Sequence, residues 1–197
     1  MRLKIAVLIA KFAALLSKKV LRRSGETISG RVLLAIYPKA IIDLSKGKKI
    51  ICVSGTNGKT STTKALVSVI SKLGSVATSP SGSNLERGIA AALMSKSEYA
   101  VLEVDELHLS RVIEEAKPRA VLLLNLTRDQ LHRMHEVKRV ADRWAKSASA
   151  APETIFFGDV DDPFVALALK SAAQSQRISF GGRKHLDAAV CPSCGKY

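Results

Sequence analysis

Along the chain, short runs of nearly continuous apolar residues alternate with longer stretches in which apolar positions recur every three or four residues. The runs at 49–53 (KIICV), 75–79 (SVATS), 99–105 (YAVLEVD), 120–126 (AVLLLNL), 154–158 (TIFFG) and 177–182 (RISFGG) read as strands. Between them, 60–73, 85–95, 107–117, 130–151 and 162–173 carry helical spacing. Gly74 and Pro118 stop two of these helices, and Asp162-Pro163 starts another. Two helices precede the first strand, one over 3–22 and a shorter one through RVLLAIY, closed by Pro38. Strands that are apolar throughout belong between layers of helices. The order therefore predicts an α/β fold, a mainly parallel, doubly wound sheet covered on both faces. At 197 residues the chain suffices for one such domain with extensions.

The leading helix does not fit inside that domain so simply. Its longest uncharged apolar run, 5–10, is broken by Lys11, no small-residue cleavage site follows, and no run reaches the roughly 18 apolar residues a membrane span needs. Leu8, Phe12, Leu15 and Leu16 share one helical face, with Lys4, Lys11 and Lys18 elsewhere. Two readings stay open: the apolar face packs on the body of the protein, or a basic helix rests on an anionic membrane surface. The formal charge of +14, with Lys18, Lys19, Arg22 and Arg23 clustered near the start, asks for a polyanionic partner such as nucleic acid, anionic lipid or a polyphosphate. Aromatics do not interleave with the basic residues, as single-strand nucleic-acid binding requires. An apolar fraction of 47% excludes a disordered chain. Three cysteines are too few for a disulfide framework. Cys52, inside an apolar run, reads as a small buried residue.

The densest chemistry lies in SGTNGKTSTT, 54–63, between a strand and a helix. Glycines let a backbone approach phosphates, and a helix start aims its free N–H groups at them. Gly55, Thr56, Asn57, Gly58, Lys59, Thr60 and Ser61 thus form a candidate nucleotide-binding loop. Lys59 would neutralise the terminal phosphates and the Thr60 hydroxyl would ligate magnesium. The spacing departs from the common G-x4-G-K-[ST], because Val53 stands at the first glycine position.

GTNGKTST resembles the loop of the Mur ligase superfamily, ATP-dependent enzymes that join an amine to a carboxylate. SGSNLERGIA (81–90), LEVDE (102–106), NLTRDQLHRM (125–134) and GDVDDPF (158–164) resemble further segments of that family, in the same order. The resemblance implies a magnesium-binding role for Glu103, catalytic with Lys59. It places Asn84 by the phosphates or the substrate carboxylate, and Asp159, Asp161 and Asp162 on the adenine side. Asp159 stands where the family has asparagine. Asp105 and Glu106 lie near the same edge as candidates for metal or substrate contact, and Asp162-Pro163 also reads as a helix N-cap with proline at N1. His108, His132 and His135 read as surface or capping groups.

Within the superfamily the likeness is to the MurT-type synthetase subunits of lipid II isoglutaminyl synthase. Gln130 stands where most Mur ligases have histidine, and E-x-D-E replaces E-x-S-S. A basic helix and SGETISG replace a UDP-binding domain, and CPSCG resembles one knuckle of an inserted zinc ribbon. This implies three parts: a helical basic extension at 1–46, the central ATP-binding domain at 47–188, and at 189–197 the start of a zinc ribbon, with Cys191 and Cys194 as half of a zinc site. It implies amidation of the D-glutamate α-carboxylate of lipid II through an acyl phosphate, with ATP and Mg2+, and ammonia from a GatD-type glutaminase. Structural Zn2+ would belong to the complete protein. The implied setting is cytoplasmic, with lipid II met at the membrane surface and no specific nucleic acid. A ribbon cut at Tyr197 reads as a fragment, inactive by itself. Two rivals remain: another Mur-type amino-acid ligase of the UDP-MurNAc-peptide or folylpolyglutamate kind, and a non-catalytic fragment binding nucleotide or nucleic acid.

Overall fold

The computed structural model describes residues 2–21, 26–79, 83–127, 134–179 and 181. Gln130, His132, Cys191, Cys194 and the 189–197 segment lie outside the described residues, as does the side chain of His135. Six strands, β1 (Lys49–Ser54), β2 (Val76–Thr78), β3 (Tyr99–Glu103), β4 (Ala120–Leu123), β5 (Ile155–Asp159) and β6 (Gln174–Ile178), form one sheet in the order β2-β3-β1-β4-β5-β6. Every pairing is parallel, so each link between strands must cross over, and a helix does so each time. These helices are α4 (Lys59–Ile70), α5 (Glu86–Leu93), α6 (Leu109–Ala116), α7 (Met134–Ser149) and α8 (Pro163–Ser171). Before them run α1 (Arg2–Leu21), α2 (Glu26–Ile36) and α3 (Ala40–Ser45).

Alternation along the strands divides the core in two. Ile50 and Cys52 of β1, Ala100 and Leu102 of β3, Val121 and Leu123 of β4, and Phe156 of β5 belong to a large cluster with α5 to α8. Val53 and Val101 point the other way, onto Ile70, Leu66 and Val67 of α4. The sheet is thus covered on both faces, as expected, but unequally. On the α4 side, Leu122, Ile155 and Phe157 are half-buried among the described residues.

Local chemistry sets the helix ends. Asp162 caps α8 with Pro163 at the first helical position, and α6 ends at Lys117 in the left-handed region (φ 46°) directly before Pro118. Two elements differ from the sequence reading. The final strand is Gln174–Ile178, not 177–182, and α8 stops at Ser171. QSQRI carries almost no apolar signal, because an edge strand needs only the backbone register, here Ile155 opposite Gln174 through Asp159 opposite Ile178. The short α3 was also not foreseen.

The leading helix corrects an expectation as well. It packs on α2, but through Ala6, Ala10 and Ser17, whereas Leu8, Phe12, Leu15 and Leu16 face solvent. Small side chains let α1 approach α2 closely. Helix α2 packs in turn on α5, where a Cβ on Gly30 would lie 1.7 Å from the carbonyl oxygen of Arg87.

Gly30→Ala therefore lowers stability by about 1–3 kcal/mol or more, as overpacking does, read as a lower urea midpoint at unchanged m-value. The Cys52 thiol is fully buried, and burial pushes its pKa from 9.0 up to about 12. At pH 8 Cys52 stays protonated and unalkylated in the native protein and reacts once urea unfolds it, checked by peptide mass mapping after iodoacetamide. Because the folded pKa is the higher one, the thiol's contribution to stability is intact below pH 9 and is lost as pH rises towards 12.

Candidate nucleotide-binding site

The site forms where β1 ends. Ser54 is buried and its Oγ donates to the Val104 carbonyl at 2.9 Å, tying the end of β1 to the chain leaving β3. Val53, the residue standing where a phosphate loop commonly has glycine, is fully buried against Ile70 and Val101. That position is a core position beneath the loop, so the flexibility falls instead on Gly55 (φ 145°) and Gly58 (φ 84°). A Cβ on Gly55 would stand 2.9 Å from the Asn125 carbonyl oxygen. Gly58 is the N-cap of α4, whose first N–H groups have no partner within the helix and suit an anion.

The loop is shaped from its far side by the segment after β4. Thr56 N–H donates to Asn125 O (2.9 Å) and Asn57 N–H to Asn125 Oδ1 (2.9 Å), while Asn125 Nδ2 donates to Asn57 O (3.0 Å). Thr127 N–H donates to Thr56 Oγ1 at 3.0 Å, and Thr56 Oγ1 donates back to Thr127 O at 3.2 Å. These bonds fix the loop's backbone before any ligand arrives.

Lys59 begins α4 and turns its Nζ back onto the carbonyls of Gly55 and Thr56, the latter at 2.9 Å, with Glu106 Oε2 at 3.4 Å. Thr60 Oγ1 donates to the Glu103 carboxylate, 2.9 and 3.1 Å from its two oxygens. Glu103 ends β3 in register with Val53 and is only 4% exposed. Open parallel sheets bind ligands at this carboxyl edge. The arrangement has one electrostatic consequence. Two carboxylates beside a phosphate loop repel a polyphosphate unless a cation stands between them. The hydroxyl of Thr60 and the oxygens of Glu103 are hard donors suited to such a cation, magnesium above all.

Neighbouring candidates are held by the same edge. Asp105 N–H donates to Asn84 O (2.9 Å), bringing Asn84 beside the β3 end, and Asp105 Oδ1 accepts from Leu107 N–H (2.9 Å). Glu106 is positioned through its backbone, whose carbonyl accepts from Trp144 Nε1 at 3.0 Å. A second group lies at the end of β5. Asp162, 2% exposed, accepts from Phe164 N–H (2.9 Å) and Val165 N–H (3.3 Å) with Oδ1, and from Leu126 N–H (2.7 Å) with Oδ2. The N-cap reading of Asp162 is thus observed, and its carboxylate also clamps the β4 end to α8. Asp159 Oδ1 accepts from Asp161 N–H at 2.8 Å, and the Asp161 carboxylate accepts from Ser179 Oγ at 3.0 Å. His108 lies 3.4 Å from Glu86, which also binds Arg111, in a surface network.

Sequence reasoning set Glu103 at the carboxyl end of a parallel strand beside the loop, where it is found, and the structure brings the Asp159–Asp162 turn to the same edge. It missed Asn125 and Thr127 as the clamp of the loop, and Trp144 as the support of Glu106. The last had a signal: a buried indole N–H needs an acceptor. Among the described residues, no group of three or more His, Cys, Asp or Glu is placed to hold a metal by itself.

Comparison with known proteins gives the family and the fold. Residues 53–190 match the Mur ligase middle domain. The chain is 39% identical, over 57% of its length, to the lipid II isoglutaminyl synthase (glutamine-hydrolyzing) subunit MurT of Streptococcus pneumoniae, covering 27% of that protein. It is 29% identical, over its whole length, to the MurT subunit of Staphylococcus aureus strain N315, covering 47% of it. The chain thus spans under half the length of these relatives. Among solved structures, the MurF ligase of Thermotoga maritima in complex with ADP superposes with a TM-score of 0.62 at 21% identity, over 77% of this chain and 36% of that one, a likeness of fold. With the middle-domain match running from Val53 near the end of β1 past the end of β6, the chain belongs to the Mur ligase family.

Proposed function

We propose that the chain is the nucleotide-binding part of an ATP-dependent carboxylate–amine ligase of peptidoglycan synthesis, whose reaction amidates the D-glutamate α-carboxylate of lipid II to D-isoglutamine. Likeness to MurT subunits in two organisms supports the reaction. The observation that carries the chemistry is the contact of Thr60 with Glu103 beside Lys59, on a loop already clamped by Asn125. In this reading 47–188 is the ATP-binding domain and 1–46 a basic extension. Residues 189–197 open a zinc ribbon in which Cys191 and Cys194 give two of four tetrahedral ligands. A GatD-type glutaminase subunit supplies the ammonia, and the reaction takes place on the cytoplasmic side, where lipid II presents its stem peptide.

The reaction begins with two anions that must meet. A carboxylate oxygen attacks the γ-phosphorus of ATP, the bond to the β-phosphate oxygen breaks, and ADP leaves. The acyl phosphate so formed is attacked at its carbonyl carbon by ammonia; the amide nitrogen loses a proton and phosphate departs with the C–O bonding pair. The chain's own residues supply position and charge for the first step. Amides of Gly58 to Ser61 cradle the phosphates, and Lys59 exchanges the Gly55 and Thr56 carbonyls for phosphate oxygens. Asn57 and Asn84 line the approach, and Asp159 and Asp162 shape the adenine side. Thr60 and Glu103 would hold magnesium, which supplies charge neutralisation between the phosphates and the incoming carboxylate.

Lys59→Ala weakens ATP binding by at least about tenfold to a hundredfold, the loss of one or two charge-assisted hydrogen bonds, measured by calorimetry with magnesium. Unchanged affinity would overturn the nucleotide assignment. Glu103→Gln keeps a partner for Thr60 but removes the charge, so the tightening of ATP binding by magnesium shrinks. For the reaction, the full-length protein with its glutaminase partner should convert lipid II glutamate to isoglutamine with glutamine and ATP. Amino-acid addition in place of amidation would favour the rival Mur-type ligase.

A further inference from the structure

We infer that α1 is an in-plane membrane anchor, its outer face seated in the interfacial layer of an anionic bilayer. The inference stands on the exposed face of α1 and holds whether or not the ligase reading does. Six large apolar side chains of this helix, Ile5, Leu8, Ile9, Phe12, Leu15 and Leu16, face solvent, and Leu8, Phe12 and Leu15 are more than 60% exposed. At about 100° per residue these six fall within an arc of roughly 120°. The opposite side of the helix is already occupied, since Ala6, Ala10 and Ser17 are buried. The outer apolar arc is therefore not a core face turned outwards by chance. A second, complete face has been built beside the one that folds.

Charge identifies the occupant. Exposed Lys4 and Lys11 lie along one border of the arc and exposed Arg2 along the other. Lys18 follows at the same seven-residue spacing in the sequence, then Lys19, Arg22 and Arg23. No acidic residue occurs before Glu26. Long basic side chains at the rim of an apolar stripe reach headgroup phosphates while the stripe enters the acyl boundary. A second copy of this chain is a poor occupant, because face-to-face pairing brings the same basic rims together. Crossing the bilayer is not the mode, since no helix among the described residues is long and apolar enough to span it. The anchor is also coupled to the body. Helix α2 joins α1 to α5 at the tight Gly30–Arg87 contact, so a docked α1 holds the sheet at the membrane surface.

The test is flotation of the protein with vesicles of phosphatidylglycerol mixed with phosphatidylcholine, against vesicles of phosphatidylcholine alone, at low and high salt. The wild type floats with the anionic vesicles and is partly released by salt. Leu8→Glu/Phe12→Glu, at exposed positions that leave the fold intact by circular dichroism, lowers the bound fraction about tenfold or more. Lys4→Gln/Lys11→Gln weakens the preference for anionic lipid about tenfold or more. ATP affinity, measured in parallel, is unchanged in both variants, so failure of the anchor and failure of the nucleotide site are read separately. Three results overturn the inference: wild type that stays with the soluble fraction at low salt, glutamate variants that float as well as wild type, or a solution dimer that these variants dissociate without any vesicle binding.

Discussion

The structure depends on the parallel registration of three strands at their carboxyl ends. Strand β1 lies between β3 and β4, so the residues that follow each of the three converge on one point. From β1 comes the glycine loop, from β3 the Glu103 carboxylate, and from β4 the Asn125 clamp. None of these would serve alone. A loop without the clamp would spend binding energy on ordering itself, and a lone buried carboxylate would repel the ligand. Slipping any strand along its neighbour would separate groups that now meet within about a hydrogen bond's length.

The same convergence explains why helices distribute as they do. The first crossover, α4, must start at the loop and cover one face, and the remaining four lie on the other. The deeper core thus lies behind the sheet, away from α4, and includes Trp144, Phe156 and the tight packing of α5 on α2. Val53 belongs to the thinner core, where Ile70 of α4 and Val101 of β3 support its bulk beneath the loop. Replacing the customary glycine with valine is tolerable because the backbone bend has moved to Gly55 and Gly58.

How much of this was legible in the sequence follows from what each feature depends on. Strands β1, β3 and β4 advertise themselves, since a strand buried on both faces must be apolar throughout. The phosphate loop is legible for a similar reason: its glycines and lysine have few other uses between a strand and a helix. Strand β6 was misplaced because QSQRI, at the sheet edge, leaves almost no hydrophobic trace. The Asn125 clamp was hidden, since an asparagine bonding a loop some seventy residues away has no local signature. The outer face of α1 was visible as a stripe, but a stripe alone does not say whether it meets protein or lipid. The burial of Ala6 and Ala10 shows that α1 packs on α2 through its opposite side, which the sequence stripe had not indicated.

The hydrogen bond from Trp144 to the Glu106 carbonyl has one more consequence. This is the chain's single tryptophan, buried within α7, and its indole is bonded to the residue whose carboxylate faces Lys59. In the proposed complex, phosphate would draw Lys59 away and change the electric field along that indole. Within these 197 residues no second indole would blur such an optical signal.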